Sequence, residues 1–255
     1  MHCLHTGRTS LPDVPPPLDR GRLFLFVHDA GGNAGIWRPQ LEAFGRCHSA
    51  LAVDLPGHGR SGGLDGLPDP AAYAALLESF AGELSLRPHV LVGCGLGGAI
   101  AVLLALRAPA RLEGLVLIAT PPRFDVPDEV LARCRDVVRG RRPQHFGNEA
   151  FSPHTDVEVM KQAWGEQVRT DPRVALGDLE ACRRFDGAVA GRVAVPTLVL
   201  AGADDRLAPP EDVRALAAAI PGARFEIVER AGHHLPLERP DAFAASVLSF
   251  LGEPS

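Results

Sequence analysis

From Pro88 to Arg107 the chain reads Pro-His-Val-Leu-Val-Gly-Cys-Gly-Leu-Gly-Gly-Ala-Ile-Ala-Val-Leu-Leu-Ala-Leu-Arg. His89 to Val92 is a short apolar run of strand length. Ala99 to Leu106 is apolar throughout and reads as a buried helix. Gly93, Gly95, Gly97 and Gly98 lie between them, so the backbone must turn sharply and pack closely there. Strand, tight turn and helix make one unit of an α/β fold.

Two motifs compete for this glycine knot. Gly93, Gly95 and Gly98 satisfy Gly-x-Gly-x-x-Gly, a dinucleotide-binding pattern that needs an acidic residue after the next strand. The next apolar run is Leu115 to Ala119, and the only acid at the right distance, Glu113, precedes it. The second motif is the nucleophile elbow, in which Gly-x-Ser-x-Gly places a serine on a strand-to-helix turn. Here the central position is Gly95, so the reading is an elbow with a vacant nucleophile position.

The rest of the chain favours the elbow. Leu91 to Ala101 resembles the elbow of the α/β-hydrolase fold family, with glycine in place of serine. Phe26 to Gly32 looks like that family's His-Gly-x-Gly oxyanion segment, with Asp29 where glycine is usual. Asp54 to Ser61, Asp-Leu-Pro-Gly-His-Gly-Arg-Ser, is similar to a loop typical of the family. Gly202 to Pro209 resembles its Gly-x-x-Asp-x-x-x-Pro acid motif, and Gly232-His233 its catalytic histidine. The order elbow, acid, histidine is the family's order. The resemblance implies a mostly parallel central sheet with helices on both faces. Residues 1–120 and 191–255 would form the core, and 121–190 a helical lid inserted into it.

Under that resemblance the base is His233 and its orienting acid is Asp205, with Asp204 and His234 as adjacent competitors. The oxyanion donors would be the backbone N–H groups of Ala30 and Leu96. Asp29 is a candidate at the pocket, where its carboxylate would repel a developing oxyanion. A turn aspartate ordinarily bonds its own backbone, and that outward orientation is expected. Cys94 is a further candidate at the pocket, although a buried cysteine normally behaves as a small hydrophobe. Phe124, Phe146, Phe151 and Trp164 are candidates to line the pocket from the lid, although any one of them taken singly is expected to be simply lid core.

Strands are expected at Leu23–Val27, Ser49–Val53, Leu115–Ala119, Val195–Ala201 and Arg224–Val228. Helices are expected at Ile36–Phe44, Ala71–Leu86, Asp128–Val138, Val157–Arg169, Glu211–Ile220 and Asp241–Leu251. The proline-rich residues 1–21 leave room for an irregular arm or one short edge strand. His28, Gly95, Asp205 and His233 each follow a strand, so they should meet at the carboxyl edge of the sheet.

Composition bounds the function. The 255 residues carry a net charge of −5, and the longest basic cluster is Arg139 to Arg142, which argues against a nucleic-acid surface. Five dispersed cysteines without Cys-x-x-Cys suggest reduced thiols in a cytoplasmic protein, with neither a disulfide framework nor a metal site. No signal peptide or membrane span is expected. The reading requires no cofactor, takes a small-molecule substrate as the partner, and allows a homodimer. Three functions stay open: an enzyme using a His-Asp dyad for acid/base chemistry without a serine; a serine hydrolase with an engineered Ser-to-Gly replacement; and a non-catalytic binding protein on a hydrolase scaffold.

Overall fold

The computed structural model describes residues 1–6, 18–63, 65–145 and 147–253. Its centre is a seven-stranded sheet in the order β1-β3-β2-β4-β5-β6-β7. The strands are β1 (Cys3–His5), β2 (Leu23–Val27), β3 (Ser49–Val53), β4 (His89–Cys94), β5 (Leu112–Ile118), β6 (Thr197–Gly202) and β7 (Arg224–Val228). Only β1 runs antiparallel, as a short edge strand against β3. Every residue of β2, β3, β4 and β6 is buried. That is why these strands are continuous apolar runs: helices cover both faces of a parallel sheet.

The helices are α1 (Arg38–Phe44), α2 (Pro70–Glu83), α3 (Leu96–Arg107), α4 (Asp128–Val138), α5 (Val157–Gln167), α6 (Pro172–Cys182), α7 (Pro210–Ala219), α8 (Leu235–Glu238) and α9 (Pro240–Phe250). Phe24 and Phe26, two apart on β2, share one face of the sheet. There Phe24 packs on Phe44, Phe26 packs on Trp37, and Phe243 of α9 closes the cluster, with ring centroids 4.5, 5.0 and 6.3–6.4 Å apart.

Expected and observed elements differ in two instructive places. The stretch from Ile36 is not one helix: a 3-10 turn, Ala34–Trp37, capped by the Asn33 side chain, precedes α1. Helix α6 is absent from the sequence reading, which took Pro172 as a break. Pro172 instead fills the first helical turn, where a missing N–H costs nothing, and the Asp171 side chain caps the helix by accepting from Arg173 N–H. Phe146 lies outside the described residues. Glu113, the acid of the dinucleotide reading, sits near the start of β5 and pairs with Arg22 at 2.7 Å. That is the amino end of the strand, away from the glycine turn.

The glycine knot lets α3 lie close on the sheet. A Cβ on Gly97 would press against the carbonyls of Val27 and His28, which are backbone and cannot yield. Gly97→Ala should therefore lower the unfolding free energy by roughly 1–3 kcal/mol, the usual cost of overpacking. Urea denaturation checks this; a change within about 0.5 kcal/mol, as at an ordinary surface site, would contradict it.

Candidate active site

Register carries the carboxyl ends of the strands to one edge. Val27 pairs with Gly93, Cys94 with Ile118, Ile118 with Leu200, and Gly202 with Val228. The residues that follow β2, β4, β6 and β7 are Asp29, Gly95, Asp205 and His233, and the structure brings all four together.

Gly95 caps α3 with φ 52° and ψ −116°. Few residues with a side chain adopt that backbone conformation without a cost of order 1–3 kcal/mol; glycine enters it freely. Gly95 N–H remains bonded to Ile118 O at 2.9 Å, and its carbonyl receives Gly98 and Ala99 N–H, so strand and helix are both anchored across the turn.

Asp29 overturns the expectation that it points away. Its carboxylate reaches over Gly95: Oδ1 accepts Leu96 N–H at 2.6 Å, and Oδ2 lies 2.9 Å from His233 Nε2. A Cβ at position 95 would overlap both Asp29 carboxylate oxygens. The other imidazole nitrogen, Nδ1, lies 2.9 Å from Asp205 Oδ2. Asp205 Oδ1 in turn accepts Leu207 and Ala208 N–H, which fixes its orientation. The imidazole is held between two carboxylates, with its side chain 10% exposed and that of Asp29 20% exposed.

Of the adjacent candidates, Asp204 is engaged elsewhere, while His234 lines the pocket beside Asp29. Asp204 accepts Ser152 Oγ–H at 2.5 Å. His234 packs on the Phe151 ring at 4.9 Å, and burial followed by the charge of His233 pushes its pKa down to about 4. Cys94 is buried. Burial first, then the charges of Asp29 and Asp205, push its thiol well above 9.0, which opposes a nucleophilic thiolate.

A largely apolar pocket opens beside Asp29. Ala30, Ile36, Trp37, Pro236 and Leu237 form much of it, and Ala163 and Gln167 close it from α5. Two of the candidates, Phe124 and Trp164, are not among the residues that line it. Phe124 packs at a tilt against Phe185 at 5.9 Å and on the main core, and Trp164 packs edge-on against Phe151 at 6.2 Å.

The turn bearing Asp29 is tied to the segment between β5 and β6 by three bonds. Gly31 N–H donates to Asp178 Oδ2 at 2.8 Å, Asn33 Nδ2 to Glu166 O at 2.7 Å, and Thr170 Oγ1 to Gly32 O at 3.0 Å. Asp178, on α6, is fully buried and also receives Tyr73 Oη–H at 2.7 Å and meets His58 Nε2 at 2.6 Å. Burial alone would lower the His58 pKa, but Asp178 reverses this and raises it. Sequence reading missed Asp178 because α6 was missed. It noted the loop containing His58 without giving His58 a role.

Charge follows geometry. Burial works against a charged His233, but Asp205 and then Asp29 outweigh it and hold its pKa well above 6.5. Burial also works against a charged Asp29, but His233, with help from Leu96 and Ala30 N–H, keeps its carboxyl below 3.8. The two acids thus favour the charged imidazolium of His233, which in turn favours the Asp29 carboxylate. The raised histidine contributes stability that is full below its unfolded pKa and fades as pH rises through the folded one. The depressed carboxyl contributes stability that fades as pH falls through its own folded value. Asp29→Asn should move the His233 midpoint downward, read by 15N NMR of the imidazole across a pH titration. An unmoved midpoint would contradict the bridge.

The sequence model of the Alpha/beta hydrolase family matches residues 24–246. A protein bearing the name carbamate hydrolase RutD, from Azorhizobium caulinodans, is 32% identical over 91% of this chain and 92% of its own length. A pimeloyl-(acyl-carrier protein) methyl ester esterase from Pectobacterium atrosepticum is 29% identical over 89% and 92%. Among solved structures, the enol-lactonase from Burkholderia xenovorans LB400 superposes with a TM-score of 0.85 at 25% identity, covering 99% of this chain and 96% of that one. With a sequence match across most of its length and the fold and residue order of the group, the chain belongs to the Alpha/beta hydrolase family.

Proposed function

We propose that this chain is an α/β-hydrolase-fold enzyme that works without a serine nucleophile. His233, oriented by Asp205, moves protons at a small organic substrate seated in the pocket beside Asp29. Suitable reactions are those that need acid/base help at carbon or at a carbonyl: opening of a lactone by water, making or breaking of a C–C bond, or a cofactor-free transformation of a natural product. The observation that carries this reading is the Asp29 carboxylate lying over Gly95 between Leu96 N–H and His233.

That observation also weighs against a serine hydrolase altered at one position. A serine at 95 would require the Asp29 carboxylate, the far end of its side chain, to leave its place over the turn, so Gly95 and the present position of Asp29 suit each other. A binding protein has no chemical need for an imidazole held between two acids. The imidazolium suits proton donation first; once it has given up its proton it is a base for water or for a carbon acid.

Two experiments test this. His233→Ala should slow deuterium exchange at the central carbon of 1,3-diketones, and the opening of small lactones, by about 10²–10⁴-fold, the usual weight of a positioned acid or base. Equal rates for wild type and variant across both panels would overturn the proposal. Gly95→Ser alone should give no burst of p-nitrophenol from p-nitrophenyl butyrate, whereas Gly95→Ser with Asp29→Gly should give one. A full burst from Gly95→Ser alone would favour the altered serine hydrolase.

A further inference from the structure

His234, the neighbour of the proton-handling histidine, has no acid of its own. It lines the pocket next to Asp29, half-buried between the Phe151 ring at 4.9 Å and the His233 ring at 5.9 Å. Its side chain makes those ring contacts and no hydrogen bond among the described residues. Its backbone carbonyl receives Leu237 and Glu238 N–H, so the first turn of α8 fixes its place in the wall. Burial, then the charge of His233, keeps its imidazole neutral at ordinary pH. A neutral imidazole carries one N–H donor and one acceptor.

A second donor belongs to the same wall. Trp37 lines the pocket, and its buried Nε1–H has no partner among the described residues. Buried N–H groups are nearly always paired, so one that is not calls for a cause. The charges are one-sided as well. Asp29 is an acid in the wall, and no lysine or arginine stands among the described residues that line it. Even a charged His233 balances only one of the two acids it touches, Asp29 and Asp205. A carboxylate entering this pocket would lose its hydration and meet a like charge with no cation to pair it. A carbonyl oxygen would lose less and gain a donor.

We infer that His234 is a substrate-binding residue: its imidazole N–H holds the carbonyl oxygen of a small uncharged ketone, ester, lactone or amide, and the pocket turns carboxylates away. This rests on the reading that the substrate sits in the pocket beside Asp29. The two adjacent histidines then divide the work. His233, bonded to Asp205 and Asp29, handles protons, and His234 keeps its N–H for the substrate. A neutral donor suits that role, since it polarises a carbonyl without giving up its proton.

2-Hexanone and pentanoate share a shape and differ in charge, and ligands of this size bind in the millimolar range or tighter. Each is titrated into the full chain and followed by the amide NMR signals of the pocket residues Ala30 and Leu237. Pentanoate should bind at least about 10-fold more weakly than 2-hexanone. His234→Phe should weaken 2-hexanone by about 3–10-fold, the weight of one neutral hydrogen bond, and His234→Asn, which keeps an N–H donor, should restore most of it. Asp29→Asn should narrow the gap between ketone and carboxylate. Pentanoate binding as tightly as 2-hexanone, a gap unmoved by Asp29→Asn, equal ketone affinity in wild type and His234→Phe, an equal loss in the Phe and Asn variants, or no binding of 2-hexanone at about 50 mM would each overturn the inference. The reading beneath it fails separately: deuterium exchange of 1,3-diketones unchanged by His233→Ala would remove the proton chemistry and leave the selectivity of the pocket standing.

Discussion

One carboxylate organises the edge of this sheet. Asp29 holds the first amide of α3, one nitrogen of His233, and the space above Gly95 all at once. Each contact depends on the others. The amide is free because it is the first N–H of a helix with no intrahelical partner. The space is empty because position 95 has no side chain. The imidazole can accept a second acid because Asp205 already stabilises its charged form. Shifting any one of the three loops would leave a buried or half-buried charge without a partner, a far larger penalty than the loss of one surface ion pair.

The fold supplies this arrangement through register. Parallel strands with helical crossovers bring sequence-distant turns to one edge, and the fully buried central strands leave little freedom to slip. The rear of the turn is secured by Asp178, which reaches from α6 to Gly31, Tyr73 and His58. His28, next to Asp29, is kept neutral, with burial and then the charge of His58 pushing its pKa down to about 4. It accepts Leu55 N–H through Nε2 and lies 2.7 Å from Asp29 O through Nδ1, so it props the turn from inside.

Most of the frame could be read from residues. Buried parallel strands are unbroken apolar runs, so β2 and β3 were expected at the residues where they occur, and β4 and its glycine turn were plain; β7, a partly exposed edge strand reading Arg-Phe-Glu-Ile-Val, was also expected where it occurs. The meeting of Gly95, Asp205 and His233 followed from strand order. What could not be read was side-chain direction. Asp29 has local partners in its own turn, and nothing in its neighbours in sequence reveals that His233, 204 positions away, offers a better one. The same blindness hid α6, where a proline looks like an end and is a beginning. It also left Phe124 and Trp164 open between a pocket wall and a packed interface, which aromatic character fits equally well.

The mutual exclusion of a side chain at 95 and the Asp29 carboxylate is the claim on which the account stands. A double-mutant cycle in urea between Gly95→Ala and Asp29→Gly measures it directly. The account predicts that alanine at 95 destabilises the chain more when Asp29 is present than when it is gone, with a coupling of about 0.5–3 kcal/mol, as for residues in contact. If the two effects simply add, the carboxylate does not lie over the turn, and the account is wrong.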